Sequence, residues 1–145
     1  MILLTLDTSS ESEAAVPVAL DLARRFDQPL RMLLVIDGQL RHQFAELGRD
    51  RQASVEEVAQ DYLANVVQSA GSTGAPPIEV GFRHAADAAT AIVEAAEGPE
   101  VALVVMATHG RSGISRLLTG SVTAEVIRSS PVPVVVVPAH ARPAP

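Results

Sequence analysis

The chain has no cysteine, no lysine and no tryptophan, and only one tyrosine and three phenylalanines among its 145 residues. Lack of cysteine excludes thiol nucleophiles, disulfides and Cys-ligated metals, and is compatible with a reducing compartment. Lack of lysine excludes a P-loop, whose Lys reaches the outer phosphates, together with kinases built on a strand Lys and Schiff-base enzymes. Long apolar stretches are missing as well. The longest runs, Val101 to Ala107 and Val132 to Ala139, are far shorter than the roughly 20 residues that span a bilayer. No basic segment opens the chain and Asp7 interrupts its first apolar run, so neither a secretory signal nor a membrane partner is expected, and the expected location is cytoplasmic. The four histidines show no HxxxH or HExxH spacing, which argues against a metal site. No GxGxxG follows the first apolar run, which removes the usual dinucleotide fingerprint.

What is present is alternation. Apolar runs at Ile2 to Leu6, Leu30 to Ile36, Ile78 to Phe82, Val101 to Ala107 and Val132 to Val137 read as strands buried on both faces. Between them, Ser12 to Phe26 places Ala15, Val16, Ala19, Leu22, Ala23 and Phe26 on one helical face. Ser10 or Ser12 is the expected N-cap, and Pro17 argues against an uninterrupted helix unless it sits in the first turn. Residues from about 40 to 70 form one long or broken helical region, Asp87 to Glu97 another helix, and Gly120 or Ser121 starts the last, which ends before Pro131. The alternation predicts an α/β fold: a single-domain open five-stranded parallel sheet, Rossmann-like, with helices on both faces over residues 1–138 and a short Ala/Pro tail at 139–145. Pro131, Pro133 and Pro138 suggest that the last strand lies at a sheet edge.

Residues Met106 to Ser121, MATHGRSGISRLLTGS, form a Gly/Ser-rich turn between a strand and a helix. Successive backbone N–H groups there, with those of the helix start, present partial positive charge to an anion. The net charge is −6, yet His109 to Arg128 carries Arg111, Arg116 and Arg128 against Glu125 alone. That local cationic character suits a small anionic ligand rather than a nucleic-acid track. Ligands of open α/β sheets bind beyond the carboxyl ends of strands where the strand order reverses, which would set Asp7 facing the 107–121 loop. Asp7 reads either as an acceptor for a base amine or ribose hydroxyl or as a turn-capping aspartate. His109 reads as a phosphate contact or a loop residue; Ser121 and Thr123 read as phosphate donors, with Ser121 also a helix cap. Ser112 lacks the GxSxG spacing of a serine hydrolase.

From its ILLTLDTS opening to its SSPVPVVVVP close, the chain resembles the universal stress protein family, and specifically its ATP-binding branch with G-x-x-G, nine residues, then G-[S/T]. The match runs Ala107-Thr108-His109-Gly110, the nine residues Arg111 to Thr119, then Gly120-Ser121. The resemblance implies a homodimer through the Val132 to Val137 strand and an adenine nucleotide between the first and fourth strands. It implies Asp7 and Val35 near adenine or ribose, and Met106, Ala107, His109 and Gly110 with Gly120, Ser121 and Val122 around the phosphates. The implied cofactor is ATP, with magnesium only as its counter-ion, in a stress-response sensor or regulatory module with little or no hydrolysis. The alternative is a nucleotide-free stress protein acting through dimerisation and partner binding. Two departures stand out: Ala107 replaces the first motif Gly, and Ala85-Ala86 occupies the region after the third strand where the family often has glycine.

Overall fold

In the computed structural model, which describes residues 1–71, 74–108 and 121–138, five parallel strands form one sheet in the order β3-β2-β1-β4-β5. The strands are β1 (Ile2–Leu6), β2 (Leu30–Ile36), β3 (Ile78–His84), β4 (Leu103–Thr108) and β5 (Val134–Pro138). β1 lies at the centre and is buried along its whole length, as its unbroken apolar run requires. Alternation sorts the side chains. Ile2, Leu4 and Leu6 of β1 and Leu30, Met32, Leu34 and Ile36 of β2 face one core, while Leu3, Leu33 and Val35 face the other.

The first core is closed by α2 (Val16–Arg25), α3 (Gly38–Arg49) and α4 (Val55–Ala70), through Ala19, Leu20, Phe44, Val58 and Leu63 among others. The second is closed by α5 (Ala88–Ala96) and α6 (Ser121–Ser129), through Ala89, Ile92, Ala96 and Val126. The chain steps outward from β1 to β2 to β3, then returns across both to β4. The strand order therefore reverses between β1 and β4, where an open α/β sheet leaves a crevice.

Several boundaries differ from the sequence expectation. The helix expected over Ser12 to Phe26 is two, α1 (Ser10–Ala14) and α2, broken at Ala15. Pro17 sits in the first turn of α2, where its missing N–H costs little. The cap of α1 is Ser9, not Ser10 or Ser12. The region 40–70 divides at residues 50–54, where Ser54 and Glu57 form a reciprocal capping box for α4. Gly48 is needed at that break, because a Cβ there would stand 2.3 Å from the carbonyl oxygen of Ala53. β3 runs on to His84, and β4 and β5 each start two residues later than expected. As expected, β5 lies at an edge and α6 starts at Ser121.

The far edge, β3, is charged. Arg31 of β2 bridges Glu79 at 3.0 Å and Glu100 at 3.1 Å, and Arg83 reaches Glu94 at 3.4 Å. No described helix is long and apolar enough to cross a membrane. The tail at 139–145 lies outside the described residues.

Candidate functional site

The carboxyl end of β1 turns sharply into α1. Thr8 takes φ 69°, a left-handed conformation that is a genuine outlier for a β-branched residue and costs on the order of 1–3 kcal/mol. A compact hydrogen-bond set holds it there. One Asp7 carboxylate oxygen accepts from the Ser9 backbone N–H at 2.9 Å and from the Ser9 hydroxyl at 2.5 Å. The Ser9 oxygen in turn accepts from the Ser12 N–H at 3.1 Å. The buried Ser12 hydroxyl donates to the Ser9 carbonyl at 2.9 Å and accepts from the Asp7 N–H at 3.3 Å. Asp7 thus serves the turn, one of its two sequence readings, while remaining exposed on the wall of a cleft.

The opposite wall is plainer. β4 brings Met106, buried against the second core, and Ala107, half-buried against the first. Ala107 lies in extended strand, in register with Val137 of β5, and is not among the residues of positive φ. An alanine there is unstrained. The Thr123 hydroxyl, near the start of α6, donates to the Ala107 carbonyl at 3.4 Å, which fastens the helix start to the strand end.

From β2 comes Val35, and then Asp37, whose carboxylate caps α3 by accepting from the Leu40 N–H at 2.8 Å. Gln39 and Gln43 follow one helical turn apart. α5 contributes Ala88 and Ile92, its start held by Asp87. The Thr90 hydroxyl, and then the Thr90 N–H, hold the Asp87 carboxyl below its ordinary value. Together these elements enclose a cleft of about 590 Å³ at the reversal between β1 and β4, within the range of about 300–1,000 Å³ usual for small-molecule sites. Val35, Ile92 and Met106 give it apolar surface; Asp7, Ser9, Gln39 and Gln43 give it donors and acceptors.

Six sequence-predicted residues line this one space: Asp7, Val35, Met106, Ala107, Val122 and Thr123, whose hydroxyl is given to the Ala107 carbonyl. His109, Gly110 and Gly120, with the rest of 109–120, lie outside the described residues, as does the side chain of Ser121. Ala85 is not in the cleft wall; it packs against the second core and its N–H bonds the Ile36 carbonyl. Sequence reasoning missed Thr8, Asp37, Gln39 and Gln43. Asp37 carried a readable signal, an aspartate three residues before the first apolar helix position; the two glutamines and the strain at Thr8 had none. Among the described residues no cluster of three or more His, Cys, Asp or Glu is placed to hold a metal ion.

Comparison with known proteins agrees with the fold. The model of the universal stress protein family matches residues 1–138. A putative universal stress protein of Staphylococcus saprophyticus is 26% identical over 136 residues, covering 94% of this chain and 81% of its own. Among solved structures, universal stress protein UspA from Lactobacillus plantarum superposes with a TM-score of 0.73 at 26% identity, covering 94% of this chain and 95% of the other. A universal stress protein crystallised in complex with cAMP gives 0.66 at 25% identity, with 95% of both chains covered. The chain belongs to the universal stress protein family.

Proposed function

We propose that this universal stress protein domain binds ATP or a related adenine nucleotide in the β1/β4 cleft and acts as a stress-response sensor or regulatory module with little or no hydrolysis. The observation that carries the proposal is the convergence of Asp7, Val35, Met106, Ala107 and Val122 on one cleft at the strand reversal. The cAMP complex of a related protein supports an adenine nucleotide as the ligand class. Extended backbone at Ala107 removes the conformational reason for the motif glycine, so its replacement does not itself argue for loss of binding. Low turnover is the reading supported by the cleft's described carboxylates: Asp7 and Asp37 each serve their own turn through one oxygen, whereas phosphoryl transfer needs a metal-binding carboxylate and a positioned base. Magnesium enters only as the nucleotide's counter-ion. The cell compartment proposed is the cytoplasm.

The proposal includes a homodimer through β5. Val134 to Val137 form an uncharged edge, which a monomer would be expected to blunt with charge; pairing with its symmetry mate covers it. Val135 and Val137 pack on the first core, so Val136→Lys is the cleaner test, and it shifts the protein toward monomer in analytical ultracentrifugation. An unchanged dimer would place the interface elsewhere. For the nucleotide, mass spectrometry of small molecules released from the purified protein, followed by titration calorimetry with ATP, is decisive. Absence of both bound and added nucleotide would favour the reading in which the domain works through partner contacts alone.

A further inference from the structure

The cleft has a neighbouring space across Thr8. On the far side of that residue, between α3 and α4, lies a second space of about 600 Å³, as large as the cleft itself. Thr8 and Gln43 line both, so these two side chains stand between the two spaces. A mononucleotide that fills the first leaves the second vacant.

The chemistry of the second chamber differs from that of a phosphate site. Its charges cancel, because Arg51 and Asp61 pair with each other at 3.1 Å. The exposed Leu47 gives it apolar surface over the buried Phe44, and the amides of Gln43 and Asn65 each offer both a donor and an acceptor. Tyr62 lines the chamber too. Burial, and then the charge of Glu13, push its phenol up, so it stays neutral. A neutral pair, an apolar wall and amides that give and take hydrogen bonds suit an uncharged ring with mixed polar edges, not a second anion.

We infer, resting on the nucleotide reading above, that the α3/α4 chamber is the second half of one binding site, and that the ligand class is an adenine nucleotide carrying a second, neutral, hydrogen-bonding ring. The second ring can be joined through the phosphates or through the base, and the test separates the two. Calorimetry on the full chain compares ADP with ADP-ribose, which extends the phosphates by a neutral sugar, and with N6-(4-hydroxybenzyl)-ADP, which extends the base by a neutral ring bearing a hydroxyl. The expected result is that one of the two extended ligands binds at least tenfold more tightly than ADP. Ala64→Trp, at an exposed position of α4 on the chamber wall, should remove that gain while leaving ADP affinity within about twofold. Leu47→Trp, also exposed and lining the chamber, should act alike and guards against a folding effect of the first variant. If ADP binds and neither extension adds affinity, or if the gain survives both tryptophans, this inference fails and the mononucleotide reading stands. If none of the three ligands binds, both fall together.

Discussion

The two walls of the cleft are built on opposite plans. At the β1 wall, Asp7, Ser9 and Ser12 lock into a hydrogen-bonded turn around a threonine in left-handed conformation. At the β4 wall, Met106 and Ala107 continue an ordinary strand, and one Thr123 bond ties it to α6. The first wall stores strain and presents a carboxylate; the second presents backbone and small side chains. The difference separates two tasks. Polar recognition needs preorganised groups whose geometry is fixed before the ligand arrives, and close approach of a ligand to backbone needs little more than small residues. Substitutions at the β1 wall should therefore change affinity or stability strongly, and those at the β4 wall weakly.

The largest effect is expected at Asp7. Asp7→Ala removes a charged acceptor, and a hydrogen bond to a charged group contributes about 1.5–3 kcal/mol, so nucleotide affinity measured by calorimetry should fall at least about tenfold. Asp7→Asn keeps an acceptor for Ser9 and should fall less. Equal affinity of parent and Asp7→Ala would remove the β1 wall from recognition. Next comes Thr8→Gly, which relieves the left-handed strain and is expected to raise thermal stability by about 1 kcal/mol, read as a higher Tm in calorimetry. A lower Tm would mean that Thr8 contributes packing that outweighs its strain.

At the β4 wall, Ala107→Gly should change nucleotide affinity by less than about threefold and cost about 0.5–1 kcal/mol of stability, the usual penalty of glycine in a strand. A tenfold gain in affinity would show that the methyl group obstructs the ligand, and the contrast between the walls would narrow. Tyr62 lies behind the β1 wall with its hydroxyl buried and without a hydrogen bond of ordinary geometry among the described residues. Tyr62→Phe should leave stability unchanged or slightly raised, since removing an unsatisfied buried hydroxyl costs little. The smallest effect concerns pH. Asp87, held low by Thr90, and Glu57, held low by the Ser54 backbone N–H, have folded values below their ordinary 3.8 and 4.5. Unfolding releases them to bind protons more readily, so their stabilising contribution is full above about pH 4.5 and is lost as pH falls through the folded values. Asp87→Asn and Glu57→Gln should each flatten the fall of Tm between pH 5 and pH 3.

Much of this contrast was legible in the sequence, and its limits have physical causes. Continuous Val, Ile and Leu runs fixed the strand cores because double-sided burial leaves no other pattern, and the cleft followed from strand order. Asp7 and Ala107 stood out by position. The conformation of Thr8 did not, because threonine has no preference for positive φ and only the tertiary turn imposes it. Ser9, Ser10 and Ser12 are all good caps, so composition alone did not choose Ser9; the Asp7 carboxylate did. The split between α1 and α2 was signalled by Pro17, which is tolerated in a first helical turn and not in a helix interior, and α2 accordingly starts at Val16. The chamber between α3 and α4 was invisible, since it depends on how two helices separated by the Ser54 box pack together.

The measurement that bears most directly on the nucleotide site is a titration of the isotopically labelled full chain with ATP, followed through backbone amide NMR shifts. The account predicts saturable changes concentrated at Asp7 to Ser9, Val35, Met106, Ala107 and Val122, with the start of β3 at Ile78 and Glu79, at the opposite end of the sheet, unaffected. Absence of shifts at millimolar ATP, or shifts confined to residues outside the β1/β4 cleft, would contradict it.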